Sequence, residues 1–195
     1  MDEPLETIRA LAGEIGPRPP TSSAEAQAAA YVNSKMRVAG LDVDLQVFRA
    51  VATYSLPYGL LNLLSALVPL VYYFHRPAAL ALSLLTLAGS VLETLSFPVV
   101  SSWLPRGKSQ NVVGTRPAAQ HARKHLVIMA HLDSSRSSPL FHPRMAGGFR
   151  RYFLLMLAAM AALPILVGLS WWLDTPWLWY AQMLPAGYLL LVLLF

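Results

Sequence analysis

The chain has 195 residues, of which 55% are hydrophobic and only 13% are charged. Soluble domains carry about 25% charged residues, so this composition is typical of a membrane protein. The absence of cysteine excludes disulfides and thiolate metal sites, which leaves histidine and carboxylates as metal ligands. Residues 1–55 open with an acidic segment instead of a basic stretch followed by a short apolar core, so no secretory signal is expected.

The net charge of +5 is unevenly distributed. Residues 1–55 carry five basic and seven acidic groups, whereas residues 101–151 carry nine basic groups and a single acid, Asp133. The basic residues of the second block are scattered and flank apolar segments. This pattern favours anchoring at a membrane surface over nucleic-acid binding, and we expect no nucleic-acid partner.

Residues 1–50 predict helices and a strand. A short helix over about residues 4–15 is followed by Gly16-Pro17-Arg18-Pro19-Pro20, which cannot be helical throughout and predicts an extended connector. Ser22 and Glu25 have the spacing of a capping box, so a second helix begins here and ends at Gly40.

Three segments predict strands. Leu41 to Val47 alternates apolar and polar residues, which indicates a strand with one buried face, and Gln110 to Thr115 predicts another. Leu126 to Ala130 is continuously apolar, which favours an interior strand of a mixed or parallel sheet. The predicted fold class is therefore α/β, with a partial sheet that two membrane hairpins interrupt.

Four apolar stretches are long enough to cross a hydrocarbon core, which needs about 20 residues. They are residues 50–74, 77–105, 152–173 and 177–195. His75-Arg76 joins the first two and Asp174-Thr175-Pro176 joins the last two, so two tight transmembrane hairpins are expected. The alternative for these stretches is a buried helical core. Glu93 interrupts the second stretch, either as a functional intramembrane group or as a protonated or paired glutamate near the interface.

These elements give four regions: helices and the first strand of a peptidase-like domain in 1–55, hairpin one in 56–104, strands with the His-x-Asp motif in 105–150 and hairpin two in 151–195. Two hairpins place the first and third regions on one side of the membrane, where they can form one domain. Basic residues crowd that side, against little beyond Arg76 on the other, so an integral, multi-pass protein with a cytoplasmic domain is expected.

His131 and Asp133 follow the predicted strand Leu126–Ala130 as a His-x-Asp pair. A neutral imidazole is a good zinc ligand, and a carboxylate two residues later can accept the hydrogen bond of the other ring nitrogen. The carboxyl end of a strand in an open α/β sheet is also where ligands bind. The pair therefore predicts the first corner of a zinc site.

Residues 1–49 and 107–138 resemble, in order, the N-terminal half of the zinc aminopeptidase and glutamate-carboxypeptidase family, metallopeptidase family twenty-eight. The motifs are Gly16-Pro17-Arg18-Pro19, the capped helix, the two strands and His131-Leu132-Asp133-Ser134. The chain looks like the membrane-inserted bacterial members, in which apolar segments interrupt the peptidase fold. The resemblance implies a peptidase with zinc as cofactor, two ions in the complete enzyme, and peptides as substrates.

The resemblance also implies roles for two residues: His131 would be a zinc ligand, and Asp133 would be the catalytic-site carboxylate that orients it. The family's further carboxylates and its last histidine have no match here. Because Tyr188 to Phe195 ends within an apolar span, we expect the chain to be the front part of a longer peptidase, inactive alone. The alternative is a non-catalytic multi-span membrane protein, or a degenerate peptidase that serves as an interaction module.

Two other polar segments are candidate sites. Ser134, Ser135, Ser137 and Ser138 surround Arg136, but without a nucleophile elbow a flexible polar loop is the better interpretation. His142-Pro143-Arg144 could contact a substrate carboxylate or a lipid phosphate, although a basic interfacial turn before the third span is favoured.

Overall fold

The computed structural model describes residues 3–121, 124–134, 142 and 147–194. In this part of the chain the fold is mixed α/β, which confirms the predicted class, and its sheet consists of two antiparallel strands. The chain forms two compact units. The first unit lies within residues 1–53 and 105–136, and the second lies within residues 54–104 and 137–195.

The secondary structure follows in chain order. The elements are α1 (Glu3–Ile8), a π-helical segment (Arg9–Ile15), α2 (Ser23–Val38), β1 (Asp42–Val51), α3 (Ser55–Ala66), α4 (Val68–Phe74), α5 (Arg76–Thr94), a 3-10 turn (Ser101–Trp103), β2 (Arg106–Thr115), α6 (Phe149–Leu173), α7 (Pro176–Ala181) and α8 (Met183–Val192).

Helix α2 begins and ends where the sequence predicts. Ser22 is the N-cap, and its hydroxyl accepts a hydrogen bond from the Glu25 amide at 3.1 Å. At the other end Gly40 has φ +77°, and the Leu41 amide donates to the Met36 carbonyl at 3.1 Å. The left-handed conformation of this glycine allows a hydrogen bond across the last turn of the helix, which pairs a carbonyl that would otherwise lack a partner.

Strands β1 and β2 pair along their whole length, from Asp42 opposite Thr115 to Val51 opposite Arg106. The chain therefore leaves the ladder after Val51 and returns to it at Arg106, the residue that is paired with Val51. The long apolar insertion takes the place of a hairpin loop, so it leaves the pairing of the two strands intact. Loop-closure entropy grows only slowly with loop length, so such an insertion is tolerated at modest cost.

The predicted third strand, Leu126–Ala130, is wrong for the described structure. These residues form no ladder, and Leu126, Val127, Ile128 and Met129 are between 76% and 87% exposed. The predicted mixed or parallel sheet is also corrected, because the described sheet is antiparallel. An apolar run can become an interior strand only where neighbouring strands pair with its backbone, and no described strand lies beside this one.

Three helical segments of the second unit are long and apolar enough to cross a membrane: Ser55–Phe74, Arg76–Thr94 and Phe149–Leu173. The second unit has exposed leucines around a buried interior that is an apolar cluster with some polar side chains. Leu85 and Leu184 are 70% and 79% exposed, whereas Asn62, Ser90 and Gln182 are at most 2% exposed. Exposed leucines and small or polar side chains between helices are compatible with a lipid environment.

The two joints between helices lie where they were predicted. His75 separates α4 from α5, and its Nδ1 accepts a hydrogen bond from the Ala78 amide at 3.0 Å. Asp174, with φ +46°, ends α6 before α7 begins at Pro176. Arg76 and Asp174 form an ion pair at 2.7 Å, so the two joints are linked directly.

Two details of the predicted spans need correction. The stretch 177–195 is not one helix, because a turn at Gln182 divides it into α7 and α8, of 6 and 10 residues. Pro185 lacks an amide hydrogen and its ring clashes with the carbonyl four residues earlier, which is that of Ala181. Glu93, which is near the middle of the predicted span 77–105, lies in the last turn of α5, and it accepts hydrogen bonds from the amides of Val100 and Ser101 at 2.6 and 2.8 Å.

Candidate metal corner

His131 and Asp133 lie side by side in the first unit. The distance from His131 Nδ1 to Asp133 Oδ1 is 3.1 Å, so the ring can donate this hydrogen bond to the carboxylate. The His131 side chain is 93% exposed and that of Asp133 is 33% exposed. With Nδ1 engaged, the lone pair of the imidazole lies on Nε2, at the open edge of the ring. This is the tautomer that a metal-binding histidine uses.

The segment that carries this pair is held by Arg18, from the proline-rich connector before α2. The Arg18 amide donates to Ser134 Oγ at 2.8 Å, and the Ser134 amide donates to the Arg18 carbonyl at 2.8 Å. The Arg18 Nε donates to the Leu132 carbonyl at 3.0 Å. The connector and the motif, more than 110 residues apart in sequence, therefore lie against each other.

The Arg18 guanidinium is itself fixed by the end of the N-terminal helix. Its Nη1 donates to the carbonyls of Leu11 and Gly16, the latter at 2.8 Å. Gly16 has φ +74°, a left-handed conformation that glycine adopts without a steric penalty and that turns the chain toward Arg18. The sequence pattern indicates the Gly-Pro-Arg-Pro segment but not this role of Arg18, because no local pattern reports a contact over such a separation.

The donor set fits one corner of a zinc site. Among the residues that the structure describes, no three His, Asp or Glu side chains lie close enough together to hold a metal ion. A hydrolytic zinc site has about three protein ligands and an open position. His131 fits the role of a single imidazole ligand, with Asp133 supporting it from the other side of the ring. Further ligands would have to approach the exposed Nε2 edge.

The other polar segments contribute little to this corner. The Ser134 hydroxyl accepts a hydrogen bond from the Arg18 amide, which favours a structural role over that of a nucleophile. Residues 135–138 lie outside the described part of the chain, as do Pro143 and Arg144. The predicted roles of those residues stay predictions.

Comparison with protein families, with curated proteins and with solved structures finds no match to this chain.

Proposed function

We propose that this chain contributes the first metal corner of a membrane-anchored, zinc-dependent peptidase. The observation that carries the proposal is the His131–Asp133 pair: a ring nitrogen 3.1 Å from a carboxylate oxygen, with the opposite edge of the ring open. Removal of single N-terminal residues from peptides is the activity implied by the resemblance to the zinc aminopeptidase family. The order of the motifs along the chain and the contact between Arg18 and the motif segment support the proposal of a peptidase.

In this proposal His131 Nε2 holds zinc, and Asp133 keeps the imidazole in the binding tautomer and orients it. Zinc bound there supplies a Lewis acid for the peptide carbonyl and lowers the pKa of its water to about 7. The carboxylate also raises the basicity of the imidazole, which strengthens its bond to a cation.

The proposal requires further metal ligands near His131. It also has to account for an exposed apolar surface directly before the motif. Residues 126–129 come directly before the motif, and all four side chains are more than three-quarters exposed. Contiguous exposed apolar side chains are typical of interaction surfaces, and we propose that another segment of polypeptide covers these four. A strand laid along this run would supply both the missing cover and side chains at the His131 edge.

The bilayer is the second proposed partner. The three long apolar helices would cross the membrane, with the leucine-rich outer faces of the second unit in contact with lipid. We propose that the metal corner faces the cytoplasm, because Arg49, Arg106 and Lys108 flank the first insertion.

The test uses the product of the complete open reading frame that contains this sequence, purified in detergent. Zinc content is measured by elemental mass spectrometry, and peptidase activity is measured with short unblocked peptides. We expect bound zinc and activity in the parent protein. His131→Ala should abolish both, and Asp133→Asn should weaken zinc binding about 10–100-fold. His121→Ala, an exposed histidine of the same unit, is the matched control and should leave both unchanged.

A parent protein that purifies without zinc and has no peptidase activity would overturn the proposal, as would a His131→Ala variant with unchanged zinc content. Those outcomes favour a second function, a non-catalytic membrane module that binds another polypeptide. The exposed apolar run 126–129 is the observation that supports this second function.

A further inference from the structure

The motif segment, residues 124–134, is almost free of regular hydrogen bonding. It belongs to no strand or helix in the described structure. The hydrogen bonds that tie it to other described residues number three, and all three involve Arg18. Among the described residues, Arg18 is therefore the one that holds the metal corner by hydrogen bonds.

These three bonds lie on both sides of Asp133. The Arg18 side chain holds the carbonyl of Leu132, immediately before Asp133. The Arg18 backbone exchanges two bonds with Ser134, immediately after Asp133. A residue whose two neighbours are both held has little freedom to rotate about its backbone, and from this position the Asp133 carboxylate lies 3.1 Å from the Nδ1 of His131.

The guanidinium group is suited to this task. It presents five donors in a rigid plane, and here two of its nitrogens reach the carbonyls of Leu11, Gly16 and Leu132. Lysine carries a single flexible ammonium group and could not span the same carbonyls with the same geometry. The arginine thus joins the end of the N-terminal helix to the motif through its side chain alone.

We propose that Arg18 is a positioning residue for the His131–Asp133 corner. It acts through the carbonyl of Leu132 and through the amide and hydroxyl of Ser134, and it sets the position of Asp133, which in turn selects the imidazole tautomer with a free Nε2. This inference rests on the proposed zinc function for its consequence, but the orientation of the ring can be measured without metal.

The experiment follows His131 in the product of the complete open reading frame, reconstituted in nanodiscs. Nitrogen NMR of labelled histidines reports which ring nitrogen carries the proton in the metal-free protein, and a competition titration with Zn²⁺ gives the metal affinity. Arg18→Gln, Arg18→Lys and Ser134→Ala are compared with the parent. Arg37→Gln is the matched control, because Arg37 also donates to a backbone carbonyl of the first unit, that of Val43, but does not touch the motif.

We expect the parent to show one tautomer with the proton on Nδ1. Arg18→Gln should give a mixture and lower the zinc affinity about 10–100-fold, the usual loss when the support of a metal ligand is removed. Arg18→Lys should restore little. Arg18→Gln and Ser134→Ala each remove one of the three bonds to the motif segment, so Ser134→Ala should also give a mixture of tautomers and a lower zinc affinity. Arg37→Gln should match the parent in both measurements.

An Arg18→Gln protein with the parent's tautomer and zinc affinity would overturn the inference. If the parent binds no zinc, the zinc function fails, yet the tautomer comparison in the metal-free protein still decides the role of Arg18. If Arg18→Gln does not fold, the Ser134→Ala protein decides, and an unchanged tautomer in that variant counts against the proposal. An effect of Arg37→Gln equal to that of Arg18→Gln would show a general loss of stability instead of positioning.

Discussion

Glu25 joins three parts of the first unit, and its removal gives the sharpest test of the packing. The side chain is 3% exposed. One carboxylate oxygen accepts a hydrogen bond from Ser109 Oγ in β2, and the other accepts one from the Thr21 amide, each at 2.5 Å. Its own amide donates to the Ser22 cap. We expect Glu25→Ala to be one of the most destabilising single substitutions in this unit.

The magnitude follows from the two donors that lose their acceptor. A hydrogen bond to a charged group contributes about 1.5–3 kcal/mol, and a buried donor left unpaired loses that contribution in full. Ser109 is 5% exposed and cannot turn to water, whereas Thr21 is half-buried and its amide can recover part of the loss. Glu25→Ala should therefore cost about 3–5 kcal/mol, and Glu25→Gln, which keeps one acceptor oxygen, about half of that.

Amide hydrogen exchange is the suitable assay. All five tryptophans lie in the ranges of the second unit, so fluorescence does not report on the first unit. Because about 1.4 kcal/mol corresponds to a tenfold change in an equilibrium constant, protected amides of α2 and β2 should exchange roughly two to three and a half orders of magnitude faster in Glu25→Ala. Glu6→Ala is the control, since Glu6 makes only an exposed pair with Lys35 at 3.8 Å and should cost less than about 1 kcal/mol.

A double substitution separates the Glu25–Ser109 contact from general damage. Glu25→Ala combined with Ser109→Ala should cost about 1–2 kcal/mol less than the sum of the two single changes, because the second substitution removes a donor that the first left unpaired. If Glu25→Ala exchanges no faster than Glu6→Ala, or if the two changes simply add, the carboxylate does not hold α2 against β2 and the reasoning fails.

Two further predictions concern packing elsewhere. A Cβ at Gly107 would lie 2.5 Å from Thr21 Cβ, so Gly107→Ala should cost about 1–3 kcal/mol by the same exchange assay, and adding Thr21→Gly should restore most of it, since Thr21 has φ +66°. No rescue by Thr21→Gly would contradict this. Gln182 is fully buried, and neither amide atom has a partner among the described residues, so Gln182→Leu should stabilise the second unit by about 1–2 kcal/mol in tryptophan-monitored unfolding. A loss of stability would instead reveal a partner for the amide.

Local rules predicted the parts of the fold that depend on a few neighbouring residues. The capping box at Ser22 and the glycine at position 40 set the ends of α2, and both ends are confirmed. The alternation from Leu41 predicted β1, although Val43 is buried while Leu45 and Val47 are 42% and 59% exposed. The alternating pattern thus identified the strand but not how much of its face α2 covers.

The errors arose where a second segment decides the outcome. The run Leu126–Ala130 has the composition of an interior strand, but composition does not supply the neighbouring strand that a ladder needs. The second apolar stretch does contain a helix long enough to cross a membrane, but that helix ends at Thr94 instead of continuing to residue 105, and Glu93 accepts hydrogen bonds from two amides beyond its end. In each case a hydrogen-bonding partner lies outside the window that a sequence pattern covers.

Local sequence patterns also identified only part of the candidate site. The site joins the two sequence segments that make up the first unit. His131 and Asp133 could be identified from spacing, because they are two residues apart, but Arg18 could not. Arg18 stands three residues before Thr21, whose amide Glu25 holds, and Glu25 is bonded in turn to β2. The support of the metal corner therefore continues from the connector through the first turn of α2 into the sheet. Loss of the Glu25 carboxylate should loosen the end of the connector, so its effect should reach the orientation of His131 without any direct contact.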